Sequence, residues 1–457
     1  MKQPYGLQPL ITRGEFPFRL LLLLIFLRTM DLLWVRSTYV PDEYWQSLEV
    51  AHNKVFGYGY LTWEWTEGIR SYVYVGLVSG VYYILKLLDL DTPEAVVIAP
   101  RIMQGIISAI ADVYFLRWVH EKRNGQYSWA FISWFTTFFI AYCSTRTLIN
   151  TFEMNLTIIA LYYYPWTPKT NNFVFASIVT LLCFVRPTAG VIWLPLVLIN
   201  LSSVRKPVMY ALLSYVPNLI LVGGACVALD TFMHGSLVIT PWNFFKINVL
   251  KGIGSFYGTH DVLWYLYCGL PVVLGLQTLP FVIGCFRLAR SRFWKTIKYN
   301  LEAQMFVTIL WTIFVYSLLP HKEFRFILPL APMMIYISSG VLSKHLNCDP
   351  NLTDDPNYVT EDELFYNNTR AWLEREYTTT RPCSLPTHVV TFSSLNYTNF
   401  FYSKNISLLY RIEHSKYFPE SRQERILFKC GPNSGHIAKS SIKIRFNFTL
   451  IDEFTPD

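Results

Sequence analysis

The chain has 457 residues, 52% hydrophobic, 17% aromatic and 15% charged, with a mean hydropathy of +0.29 and a net charge of +8. An ordinary soluble domain carries about 25% charged residues, so this composition excludes a conventional soluble enzyme and points to a polytopic membrane protein. It also excludes a nucleic-acid binder, because the basic residues fall in short runs between apolar stretches, as in the cytoplasmic loops of membrane proteins.

Residues 1–17 read as a cytoplasmic N-terminus, since Lys2, Arg13 and Arg19 flank the start of the first apolar stretch, Phe18–Val35. That stretch holds Arg28 and Asp31 three positions apart, close enough to neutralise each other on one helix face. The charges interrupt the apolar run and no small-x-small cleavage site follows, so it reads as a retained anchor rather than a signal peptide.

Residues 36–95 form the first loop on the far side. Between Val40 and Arg70 lie the carboxylates Asp42, Glu43, Glu49, Glu64 and Glu67, among Tyr44, Trp45, Phe56, Tyr58, Tyr60, Trp63 and Trp65. Aromatic rings can stack on the apolar face of a sugar while a carboxylate accepts a hydroxyl proton. Adjacent helical positions point about 100° apart, so at most one of Asp42 and Glu43 faces a given ligand. One reading makes it a general base; the plainer one makes Pro41-Asp42-Glu43 a helix start. Trp63-Glu64-Trp65 either grips a sugar or anchors the loop at the lipid boundary.

Tyr72–Leu90 is apolar but holds Gly76, Gly80, Lys86 and many tyrosines, so by itself it suits either a span or an interface helix. It is placed along the interface, because a crossing there would put the basic connectors His120–Arg123, Val204–Lys206 and Arg287–Lys298 on the wrong face. Further spans are expected near 96–118, 127–145, 152–166, 172–186, 188–200, 207–230, 262–286, 303–319 and 325–345, some of them short enough to pair or re-enter. Residues 18–345 are thus an all-α, multi-span membrane domain. Arg146 and Glu153 bracket one far-side turn, and Arg186-Pro187 closes another. Each charge reads as a substrate contact or as a structural ion pair.

His321-Lys322-Glu323-Phe324-Arg325-Phe326 lies between two spans on the far side. Charges this close to a bilayer mark either function or headgroup anchoring. His321, Lys322 and Arg325 suit a phosphate, with Glu323 orienting them. Residues 346–457 are polar, form a small mixed region, and carry acceptor triplets at Asn351, Asn367, Asn396, Asn405 and Asn447. These favour a glycosylating lumen, whereas ten crossings would return the tail to the cytoplasm. The eight cysteines show no metal-ligand spacing, and no phosphate loop or nucleophile triad is present. Taken together, the loop carboxylate and the basic cluster suit a one-step, inverting sugar transfer from a lipid phosphate. A transporter would place charges mid-span and show paired halves.

The runs Pro41–Glu49 (P-D-E-Y-W-Q-S-L-E), Leu61–Arg70 (L-T-W-E-W-T-E-G-I-R) and His321–Phe326 (H-K-E-F-R-F) resemble the lipid-phosphate-mannose-dependent mannosyltransferases of the endoplasmic reticulum. The likeness is strongest to the branch that adds the third mannose of glycosylphosphatidylinositol (GPI). It extends over nearly all of 36–345, through Pro100-Arg101, Ala111-Asp112-Val113, Thr145-Arg146-Thr147, Arg186–Ala189 and Phe244–Leu250. It implies a GT-C-type fold with interface helices in the first luminal loop and a multi-pass endoplasmic reticulum membrane location. The donor implied is dolichyl phosphate mannose, the acceptor a dimannosyl GPI precursor, and the new linkage α-1,2. No cofactor, no metal and no nucleic acid is implied; protein partners are left open. Asp42 is the implied base, with Glu43 second; His321, Lys322 and Arg325 hold donor phosphate, with Glu323 orienting. Trp63, Glu64, Arg70, Arg146, Glu153 and Arg186 are weaker substrate-binding candidates. A lipid-linked oligosaccharide mannosyltransferase is the alternative within the class. The chain also skips a stretch near residue 346 that such relatives possess, including an apolar span, which would reconcile the crossing count with the glycosylation triplets.

Overall fold

The computed structural model describes residues 17–35, 37–123, 127–166, 173–290 and 297–346, with three strands further on. The chain divides into two units, Met1–Cys348 and Asp349–Asp457. In the second, β1 (His388–Phe392), β2 (Ile406–Glu413) and β3 (Glu424–Cys430) form an antiparallel sheet of order β1-β3-β2, bulged at Leu408/Tyr410. The acceptor asparagines of the five tail triplets lie outside the described residues.

The first unit is helical. α1 is Phe18–Trp34, α2 Glu49–Phe56, α3 Trp63–Thr66, α4 Tyr72–Leu87, α5 Pro93–Lys122, α6 Ser128–Thr136, α7 Phe138–Ser144, α8 Ile149–Tyr163, α9 Phe173–Val185 and α10 Ala189–Ser203. Among the described residues five helices are long and apolar enough to cross a bilayer: α5, Pro207–His234, Tyr265–Arg290, Leu301–Leu318 and Phe324–Ser343. α1 and α4 are shorter, and α9 and α10 meet as a pair at Arg186–Ala189. At 16 residues, α4 spans about 24 Å, less than the hydrocarbon core.

Local chemistry sets the ends. Thr92 caps α5, its Oγ1 accepting from Ala95 N, with Pro93 in the first turn. Ser71 caps α4 and Asn300 caps Leu301–Leu318 in the same way. Gly57, at φ +85°, closes α2 in the left-handed conformation that glycine adopts without penalty. The span expected at 127–145 is two helices. Thr137 is extended (φ −79°, ψ 102°), and its hydroxyl donates to Ser133 O at 2.6 Å. A threonine that bonds back four residues bends or breaks a helix.

Inside the bundle, Arg28 does more than neutralise its own neighbour. Nη1 bonds Asp31 at 2.9 Å, but Nε and Nη2 grip Asp112 of α5 at 2.8 and 2.9 Å. Asp112 also accepts from Trp134 Nε1 at 2.7 Å, so one buried carboxylate ties α1, α5 and α6 together. Removing one partner of a buried pair leaves an uncompensated charge. Asp112→Ala should therefore lower stability by about 3–5 kcal/mol, read as earlier thermal unfolding in detergent; an unchanged midpoint would deny the staple.

Candidate active site

The loop after α1 begins as a helix whose first carbonyl, Pro41 O, accepts from Tyr44 N and Trp45 N at 3.0 Å. Tyr44–Leu48 then forms a π turn leading into α2. This start sends Asp42 and Glu43 to different places. Glu43 is sealed. It accepts from Arg146 Nη1 at 2.7 Å and from Tyr39 N at 3.0 Å, with Arg101 Nη2 at 3.6 Å. Its carboxylate thus anchors the loop to the α7–α8 turn and to α5.

Asp42 is partly exposed. Its Oδ2 accepts from Gln46 Nε2 and lies beside Arg325 Nη1, both at 2.6 Å. One oxygen is therefore fixed, while among the described residues no hydrogen bond occupies the other, Oδ1. Gln46 continues the chain to Glu64 Oε2 at 3.3 Å, and Glu64 Oε1 accepts from Arg70 Nη2 at 2.6 Å. Gln46 escaped sequence reading, although its position four residues after Asp42 on a helix is the spacing that brings side chains together.

The segment His321–Arg325 alternates in its contacts. His321 Nε2 meets Glu323 Oε1 at 3.0 Å, and Arg325 grips Glu323 through Nε at 2.5 Å and Nη2 at 2.7 Å. Between them, Lys322 turns the other way, donating to His260 O at 3.1 Å and to Leu319 O. Its ammonium thus ties two loops together rather than standing beside Arg325. Phe324 stacks on Trp264 with centroids 4.8 Å apart.

Both ring nitrogens of His321 face acceptors, Glu323 Oε1 and Gly258 O, which favours the imidazolium; the hydrogen bond to Glu323 raises its pKa despite burial. Burial opposes ionisation of Glu323, but His321 and Arg325 outweigh it and hold the carboxylate down at about 2. Desolvation lowers the pKa of Lys322.

The remaining candidates divide. Glu153 and Arg186 pair at 2.8 Å. Trp63 reaches across to Tyr257, its Nε1 donating to the phenol oxygen at 3.2 Å. Trp65 is buried with its indole on Trp45 O, so it packs rather than faces a ligand. Tyr257 is not among the site candidates read from sequence, although the Phe256–His260 stretch that holds it shares in the family resemblance.

The Alg9-like mannosyltransferase family model matches residues 19–420. GPI mannosyltransferase 3 of Drosophila melanogaster is 35% identical over 86% of this chain and 83% of its own length. GPI alpha-1,2-mannosyltransferase 3 of Homo sapiens is 34% identical over 82% and 80%. The Drosophila alignment is 478 positions long, more than the whole 457-residue chain, although it takes in only 86% of it. The surplus positions are residues of the relative with no counterpart here. Among solved structures, ArnT from Cupriavidus metallidurans bound to undecaprenyl phosphate superposes with a TM-score of 0.45 at 11% identity, covering 72% of this chain and 60% of that one; so loose a likeness bears no weight.

Proposed function

The chain belongs to the Alg9-like mannosyltransferase family, and from that premise we propose that it moves mannose from dolichyl phosphate mannose to a dimannosyl GPI precursor in α-1,2 linkage. It is a multi-pass membrane mannosyltransferase of GPI-anchor biosynthesis. The reaction is placed on the luminal face of the endoplasmic reticulum membrane, in a GT-C-type scaffold.

The observation that carries the mechanism is the 2.6 Å approach of Arg325 Nη1 to Asp42 Oδ2. It puts a proton acceptor and a phosphate-binding guanidinium in one place, although 283 positions separate them in sequence. The acceptor hydroxyl attacks the anomeric carbon while the unoccupied Asp42 oxygen takes its proton. The lipid phosphate leaves on the opposite face of the sugar, against Arg325 and the His321 imidazolium. One displacement inverts the anomeric centre. Glu43, sealed against Arg146, holds the base's loop in register. Lys322 fixes the backbone that presents His321 and Arg325. Glu64, Arg70 and Trp63 line the side from which the glycan acceptor enters.

Expression in cells unable to add the third GPI mannose tests the whole reading. Restored surface GPI-anchored proteins are expected; an unchanged deficit, with the chain present in the membrane, would overturn it.

A pH dependence follows from His321. Its raised pKa means that the cation persists below and somewhat above the ordinary histidine value, and is lost as pH rises through the folded value. Donor KM should therefore increase on the alkaline side, and His321→Gln should flatten that rise. Glu323, ionised down to about 2, contributes no limb in the working range. A wild-type alkaline limb retained unchanged in His321→Gln would remove His321 from donor binding.

A further inference from the structure

Among the described residues, the buried arginines of the helical unit are, with one exception, committed through their terminal nitrogens. Arg28 spends both Nη groups on carboxylates, Arg101 on the carbonyls of Val35 and Ser37, and Arg146 on Glu43 and Ser37. Arg325 spends Nε and both Nη groups on Asp42 and Glu323. Arg186 differs. Its Nε donates to Thr188 Oγ1 at 3.0 Å and lies 2.8 Å from Glu153 Oε2. Among the described residues no hydrogen bond takes up either of its Nη groups, and neither is among the polar atoms sealed from solvent. Behind it Glu153 is 1% exposed, and neither of its oxygens has an aligned donor. A buried carboxylate left this way is costly. Its effect here is to hold the Nε edge of the guanidinium and leave the Nη edge outward.

That edge lies close to the site. The guanidinium carbons of Arg186 and Arg325 are 5.5 and 5.6 Å from the centroid of the same ring, Phe326. They are no farther apart than those two distances laid end to end, and both cations lie against one ring, one of them the partner of Asp42.

Building on the reading of this site as a lipid-phosphate-mannose transferase, we propose that Arg186 is a second cationic contact for the donor phosphate, with Glu153 as the residue that positions it. In the reaction the acceptor oxygen bonds to the anomeric carbon as that carbon's bond to the phosphate oxygen breaks. The bonding pair goes to the phosphate and the acceptor's proton goes to Asp42. A phosphodiester with one negative charge becomes a monoester with two. Arg325 is already tied to two carboxylates, so the new charge is met by the guanidinium with unspent donors.

The test uses the full chain in detergent with dolichyl phosphate mannose and a dimannosyl GPI acceptor. Arg186→Lys keeps a charge against Glu153 but offers no two-donor edge. The Arg186→Gln/Glu153→Gln double variant leaves no lone buried charge. In both, kcat should fall about 10²–10³-fold with a much smaller change in donor KM. Inhibition by the product dolichyl phosphate should weaken by about tenfold, the loss of one charge-assisted contact. Glu153→Gln should also reduce the preference for dolichyl phosphate over the mannosylated donor, a ratio that a merely structural role would not move. Unchanged kcat and unchanged product inhibition in either folded variant would overturn the proposal, as would a pure rise in donor KM. If the double variant does not fold, Arg186→Lys alone decides. Absence of transfer by the unmodified chain overturns the reading of the site and this proposal with it. Transfer intact in the unmodified chain and in the variants alike overturns this proposal only.

Discussion

Asp42→Asn should reduce mannose transfer from labelled dolichyl phosphate mannose by about 10²- to 10⁴-fold, the range a positioned general base contributes. The amide keeps the shape of the side chain and can still meet Gln46, but it cannot take a proton. Glu43 cannot substitute, because Arg146 and Tyr39 N occupy its carboxylate in a sealed position. The protein should remain folded, since Asp42 is partly exposed and Arg325 keeps Glu323 as a partner. The measurement is initial transfer rate in detergent, with thermal unfolding as the control. Full activity in a folded Asp42→Asn protein would eliminate Asp42 as the base.

Arg325→Lys is the second large effect. A lysine retains the charge but offers a single point donor, whereas Arg325 reaches Asp42 with one nitrogen while two others hold Glu323. Lysine can serve one of the two carboxylates, not both, and leaves less to offer a phosphate. Losing one preorganised donor of this kind costs about 10²–10³ in rate, so kcat/KM for the donor should fall by that much. Steady-state kinetics with the donor varied is the check; wild-type kcat/KM in Arg325→Lys would remove the guanidinium from the mechanism. Glu323→Gln separates orientation from charge, since it leaves Arg325 cationic but no longer aimed by a carboxylate.

What was readable beforehand was whatever is local. The carboxylate-and-aromatic loop from Val40 to Arg70 and the His321–Phe326 run stand out because their composition is anomalous beside apolar spans. The separate directions of Asp42 and Glu43 follow from helical geometry. What escaped depends on tertiary pairing, which leaves no mark nearby. Arg28 was assigned Asp31 because that partner lies three residues away; its two-toothed partner, Asp112, is 84 positions distant. Tyr257 meets Trp63 across 194 positions. Lys322 was grouped with its charged neighbours because the sequence shows its type but not which way an extended backbone turns it. The break at Thr137 was hidden because a hydroxyl bonding back along the helix is indistinguishable, in sequence, from one that faces a neighbour.

The odd and even positions from His321 to Arg325 serve separate ends, the former meeting around Glu323, the latter packing into loop and wall. A stretch built that way is more vulnerable to miscounting than to misspelling. Gaining or dropping one amino acid between Pro320 and Glu323 would shift His321 and Glu323 against Arg325, which the 3₁₀ helix Phe324–Leu330 holds in place, while most single exchanges would disturb only their own position.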